Sequence, residues 1–206
     1  MTPGLDPWIA ASEQIEGWTR GDEARELAEL AYALPPGAQI VEIGTLLGSG
    51  AVLLGGARKL AGSGKVHCVD PFDLSGDLFS IPYYVDIHAR QGGGSMRGYF
   101  DANIAAAGLS DWIEAHPGRA AEVAAGWSTP VDLLFLDGDQ SPAGAGAAYD
   151  AWLPHLKRGG VIALHNSNPG RTEHHDGMLL IVESAAFHAA FTDIRLIAST
   201  TFGVRV

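Results

Sequence analysis

The sequence predicts an α/β fold of three layers, with a seven-stranded, mostly parallel sheet that ends in an antiparallel β-hairpin. Three observations carry this. Short β-rich apolar runs alternate with helix-like segments along the 206 residues, the pattern of successive βαβ units. Residues 39–70, QIVEIGTLLGSGAVLLGGARKLAGSGKVHCVD, read as strand, glycine turn, helix, strand and closing acid. The tail, TDIRLIASTTFGVRV, holds two strand-like runs, 194–197 and 202–206, joined by a link too short for a parallel crossover.

Within residues 39–70, Ile40, Val41 and Ile43 form the first strand, broken by Glu42 and closed by Gly44. Gly48 and Gly50 follow, then an apolar helix, a Gly-Ser-Gly break and a second strand ending in Asp70. Each residue type has a physical job. Glycine lets the backbone turn sharply and lets a ligand lie against it. The helix start behind it offers free N–H groups. A carboxylate at the end of the second strand can accept both hydroxyls of a ribose. This is a Rossmann-like nucleotide-binding unit. Its spacing is Glu42-x-Gly44-x-x-x-Gly48-x-Gly50. A dinucleotide fingerprint needs G-x-G-x-x-G, and Leu46 stands where its second glycine should be.

Composition narrows the partners. The length suits one domain with a sizeable core. A net charge of -11 argues against nucleic acid and anionic membranes, which leaves a small-molecule substrate. No apolar run approaches a membrane span, and the opening MTPGLDPW lacks a basic segment followed by an apolar one, so the chain reads as cytoplasmic. A homo-oligomer is compatible with the sequence and is not specified by it. The single cysteine, Cys68, permits no intrachain disulfide and reads as a small buried hydrophobe in the second strand.

The remaining elements follow in order. Residues 1–38 form a helical lead, packed on or over the ligand cleft and ahead of a ligand-binding domain, 39–206. In the lead a helix is expected over 22–34, with Leu27, Leu30 and Leu34 at helical spacing and Pro35-Pro36-Gly37 ending it. Trp8 and Trp18 read as packing residues. Residues 71–110, rich in glycine, proline and aromatics, form an irregular insertion at the carboxyl end of a strand, and read as a lid or substrate region. An alternative is a helix over 81–90. Residues 111–118 are a third strand and turn, with His116 a turn residue. VDLLFLDG is a strand buried on both faces, ending in Asp137. A helix with Pro142 in its first turn runs to Gly159-Gly160, VIALHN is the fifth strand, and MLLIVESAAFHAAF is one helix.

Three segments, VEIGTLLGSG (41–50), LLFLDGDQSP (133–142) and AWLPHLKRGGVIALHN (151–166), resemble a family of small class I S-adenosylmethionine-dependent methyltransferases of bacterial natural-product, cephamycin- and sugar-type tailoring. The likeness runs from about Glu16 to the end of the chain, and that fold also closes on a β-hairpin. The resemblance implies an S-adenosylmethionine site made by Glu42, Gly44, Thr45, Gly48, Asp70, Phe72, Asp137, Gly138 and Asp139. Glu42 and Gly44 would face the methionine part, Asp70 the ribose, Phe72 the adenine, and 137–139 the sulfonium end. This chain departs from its relatives at Gln140 and Pro142, where they often carry His and Tyr, and at His165-Asn166, where they often carry His-Asp. It also has Gly50 where they often have Ser or Thr.

Methyl transfer from a sulfonium is an in-line displacement, so the protein must mainly align the nucleophile and handle its proton. Asp137 and His165 end strands that should be neighbours, about 5 Å apart. Two mechanisms are expected. In one, His165 is the general base. In the other, Asp137, His165 and Asn166 bind a divalent metal, helped by His174, His175 and Asp176 from the next loop; histidine makes that set better suited to a transition metal than to Mg²⁺. Two other readings compete. A nicotinamide-dependent oxidoreductase is disfavoured by the glycine spacing and the terminal hairpin. A non-catalytic S-adenosylmethionine-binding protein is kept alive by Gln140 and Asn166.

Overall fold

Two strands, β1 (Gln39–Ile43) and β4 (Val131–Leu136), lie side by side at the centre of the sheet in the computed structural model, which describes residues 4–206. Residues 1–3, part of the opening that bears on a secretion signal, lie outside the described residues. The other strands are β2 (Lys65–Asp70), β3 (Ile113–Pro117), β5 (Leu156–Leu164), β6 (Phe191–Ile197) and β7 (Thr200–Arg205). The order across the sheet is β3-β2-β1-β4-β5-β7-β6. β3 to β5 run parallel, and β7 pairs antiparallel with both β5 and β6. The chain order reverses between β1 and β4, and a crevice opens at such a switch point, outside the carboxyl ends of the strands.

Alternation along the strands sorts side chains onto two faces. Ile40, Val66, Cys68, Leu133 and Phe135 pack under α2 (Gly21–Ala33) and α3 (Ser49–Ala61). Val41, Ile43, Val69, Leu134 and Leu136 face α7 (Pro142–Trp152), α8 (Gly177–Glu183) and α9 (Ala185–Ala190). Every residue of β4 is buried, as expected of a central parallel strand covered on both faces. Cys68 is fully buried.

Several elements differ from expectation. The lead holds a further helix, α1 (Asp6–Glu13), in which Pro7 occupies the first turn; proline there removes no helical hydrogen bond, so it is no breaker. Residues 71–110 are more regular than a glycine-rich insertion suggests. They contain α4 (Ile81–Arg90) and α5 (Met96–Ala106), the latter capped by Ser95, whose hydroxyl accepts from Gly98 N–H. The segment expected as one helix before the hairpin is two, α8 and α9. Ser184 breaks it, extended at ψ 144°, and its side chain accepts from Phe187 N–H. α7 ends at Trp152 rather than at the glycine pair, and Gly159-Gly160 lie inside β5. The short α6 (Ala120–Ala125) follows the third strand. Among the described residues no helix is long and apolar enough to cross a membrane.

The switch point is held by backbone. Gly44 N–H donates to Val69 O at 2.9 Å, and Asp137 N–H donates to Ile43 O at 2.8 Å. Gly44 has φ +84°, and a Cβ there would meet Asp137 O and Gly138 Cα at 2.5 Å. The two turns therefore touch main chain to main chain, and only glycine permits it. Gly44→Ala should destabilise the fold by at least about 1–3 kcal/mol from the backbone alone, read as a lower denaturation midpoint; an unchanged midpoint would show that the turns can separate.

Candidate active site

A cavity of about 550 Å³ lies above the carboxyl ends of β1, β2, β4 and β5, within the usual range for small-molecule sites. Its floor is the β1–α3 turn. Asp70 organises that turn. Its Oδ2 accepts from Thr45 and Leu46 N–H, each at 3.0 Å, and its Oδ1 accepts from Phe72 N–H at 2.7 Å. Burial pushes the Asp70 carboxyl up, and these three N–H donors pull against that.

Glu42 lies below the turn, 1 % exposed. It accepts from Thr45 Oγ1 at 2.8 Å, and a Cβ on Gly50 would strike its Oε1 at 2.0 Å. Gly50 is thus the residue that leaves room for Glu42. Burial raises the Glu42 carboxyl to about 8, so it stays protonated at neutral pH and can donate.

The far side of the floor comes from β4, β5 and α2. His165 is 2 % exposed. Its Nδ1 lies 2.6 Å from Asp137 Oδ1, and its Nε2 lies 3.4 Å from Glu23 Oε1. Glu23 Oε2 accepts from Ser199 N–H, Ser199 Oγ and Thr200 Oγ1 at 2.9, 2.7 and 3.0 Å. Burial alone would depress His165; the carboxylates of Asp137 and Glu23 outweigh it and raise the imidazole to about 10. Burial pushes Glu23 up, but His165 and Ser199 overcome it and hold the carboxyl at about 2. His165 is an imidazolium between two carboxylates. Each ring nitrogen thus faces a carboxylate, an arrangement that suits a positioning role better than the expected general base.

The same geometry corrects the expected metal set. A ligating histidine must present a lone pair to the ion, and both nitrogens of His165 are committed to carboxylates. Asn166 lines the cavity at φ +58°. His174 is exposed, and His175 is turned away to Asp77, with Nδ1 3.1 Å from Oδ1. The donor set does not fit a divalent ion beside Asp137.

Of the residues expected to hold a cofactor, Glu42, Gly44, Thr45, Asp70, Phe72, Asp137, Gly138 and Asp139 line the cavity. Gly48 does not; at φ +91° it turns the chain into α3 and faces Phe100. Two residues of the site, Glu23 and Asp77, carry no mark in the sequence. Glu23 looked like one of several acids on an amphipathic helix. Asp77, 3 % exposed, accepts from the N–H groups of Phe79, Ser80 and Gln140 at 3.1, 3.0 and 3.3 Å, and so ties the insertion to the β4–α7 turn. Gln140 Oε1 is buried without a partner. Trp18 meets Tyr83 and Tyr84 edge-on at 6.5 and 6.1 Å, and Phe79 lies 4.5 Å from the His175 ring; all line the cavity. Leu46, Phe72, Leu74 and Asn166 line it too, each non-glycine at positive φ, a strain that collects at functional sites.

Three solved structures share the architecture. The O-methyltransferase from Bacillus cereus in complex with SAH superposes at a TM-score of 0.64, with 17 % identity over 100 % of this chain and 92 % of that one. SAH-bound PaMTH1, a methyltransferase of Podospora anserina, gives 0.64 and 14 % over 100 % and 89 %. CalS11, a TDP-rhamnose 3'-O-methyltransferase of calicheamicin biosynthesis, gives 0.59 and 16 % over 88 % and 76 %. At these identities the likeness is one of fold. A family model described as a methyltransferase domain matches residues 41–167, which spans the glycine turn, β4 and His165. The chain belongs to this methyltransferase-domain family.

Proposed function

We propose that the chain transfers a methyl group from S-adenosylmethionine to an oxygen, or a nitrogen, of a small metabolite, in natural-product tailoring. The observation that carries this reading is the cavity at the β1/β4 switch point, built over a glycine turn that Asp70 holds open. The carboxylates of Asp137 and Asp139, together at the end of β4, suit a cationic group beside them. Gln140 Oε1, a buried acceptor with no partner, suits a ligand that brings its own donor. The fold's use by a sugar O-methyltransferase of calicheamicin biosynthesis supports the natural-product part.

When bound, S-adenosylmethionine supplies an electrophilic methyl group on a sulfonium. The chain's own residues do the rest. Asp70, Thr45 and Phe72 hold the nucleoside, and Glu42, Gly44 and Gly48 shape the turn at its other end. Gly138 and Asp139 complete the cradle. Asp137 takes the acceptor's proton at its free carboxylate oxygen. His165 is a positioning residue: its charge fixes the Asp137 carboxylate, and Glu23 fixes His165. Trp18, Phe79 and Tyr83 exclude water from the open side, which strengthens the charges within.

Calorimetry with S-adenosylhomocysteine tests the cofactor. Micromolar binding is expected, weakened roughly 10-fold to 100-fold in Asp70→Ala by loss of charged hydrogen bonds. No binding, with NADH bound instead, would overturn the reading in favour of an oxidoreductase.

The proton step is tested on a panel of phenolic and sugar hydroxyl acceptors. Asp137→Asn should cut turnover about 10²-fold or more. Cofactor binding with no turnover on any acceptor would favour the non-catalytic reading instead.

The His165 charge has a pH signature. Its folded value is raised, so the stability it contributes is full below about 6.5 and lost as pH rises through about 10. The difference in denaturation midpoint between the wild type and His165→Gln should shrink over that window. A difference constant across it would mean the imidazole is neutral in the fold.

A further inference from the structure

At the β3 edge of the sheet, three side chains that the methyl-transfer site does not use converge on one face. His67 lies on β2, and Glu114 and His116 lie on the edge strand β3. His67 pairs laterally with Glu114, and Val69 with His116, so the two-residue period of a strand puts all three on the same side. Their ligand atoms lie within 4.8 Å of one another. His67 Nδ1 is 3.0 Å from His116 Nε2, and Glu114 Oε1 is 3.8 Å from that same nitrogen. Two nitrogens on a tetrahedral zinc ion at about 2.0–2.1 Å stand roughly 3.3 Å apart, so the observed spacings bracket the requirement.

The surroundings also suit an ion. His67 Nε2 is 2.9 Å from Gln39 Oε1. A carboxamide oxygen only accepts, so the His67 proton sits on Nε2 and its Nδ1 lone pair points at His116. A ligating histidine is ordinarily oriented in this way, by donating its other N–H to a carbonyl or carboxylate. Trp127 walls the cluster, edge-on to His67 at 4.8 Å and to His116 at 5.4 Å. Glu114 is exposed and gives access from solvent. Its other oxygen meets Lys65 Nζ only at 3.8 Å, a weak competitor at a solvated edge.

We infer that His67, His116 and Glu114 form a binding site for a divalent transition metal of the zinc type, with water completing the coordination. Two imidazoles and one carboxylate favour such an ion over Mg²⁺ or Ca²⁺, which take oxygen. The ion would clamp β2 to β3 just before Gly118 and Arg119, which line the cavity. It stands apart from the chemistry, so this inference does not depend on the proposed reaction.

Cobalt(II) titration of the untagged, chelator-washed chain tests it. One equivalent should bind with a visible absorption band, zinc should displace it, and Trp127 fluorescence should fall. His116→Ala, on the edge strand, should weaken binding at least about 10-fold, His67→Gln likewise, and His174→Ala not at all. Absence of saturable binding in the wild type would overturn the site. So would full retention in His116→Ala, which decides the matter should the more buried His67→Gln fail to fold.

Discussion

A single buried cation holds the floor of the cavity together. His165 comes from the end of β5, Asp137 from the end of β4 and Glu23 from α2, and the imidazolium bridges the two acids. Glu23 in turn receives the hydrogens of Ser199 and Thr200 from the hairpin. Four separate parts of the chain thus meet around one positive charge. Removing one partner from such a group leaves a buried charge uncompensated, at a cost of about 3–5 kcal/mol. The acids keep His165 charged, and His165 keeps Asp137 in one orientation above the sheet.

The glycine turn solves a different electrostatic problem. Glu42 is buried and Asp70 half-buried, and desolvation pushes both carboxyls up. Asp70 meets three backbone N–H groups, which offset part of its desolvation. Glu42 meets one hydroxyl and the weak Cys68 thiol donor at 3.4 Å, and stays protonated near neutrality. Keeping one of the two neutral avoids placing like charges in a low-dielectric floor. Gly50, with no side chain, leaves Glu42 the space it occupies.

Much of this was legible from residues alone because it rests on local rules. Alternating apolar runs, the glycine turn, the acid closing β2 and the short hairpin link each dictate their own geometry, and the sheet follows from them. What escaped was non-local. Glu23 reaches His165 across 142 positions of sequence (23 to 165), and an acid on an amphipathic helix carries no mark of such a partner. The surroundings of His165 escaped for the same reason: the strand end points to Asp137 as a neighbour, and only the fold adds Glu23. Asp77 and His175 come from separate loops, 98 positions apart, and their buried contact could not be read from either segment alone. Ser184 shows a local rule overlooked: serine before a short apolar run caps a new helix as readily as it continues an old one.

The walls of the cavity are not equally constrained. The glycine turn and the ends of β1 and β4 are packed backbone against backbone, so nearly any change there disturbs the whole domain. α4 is fixed largely through Ile87, its one fully buried residue, with Tyr83 and Val85 open to solvent. Side chains on α4 are therefore free to vary at little expense to the fold, while the floor beneath them is not. The exposed face of α4 can thus change by drift while the packed floor below it stays as it is.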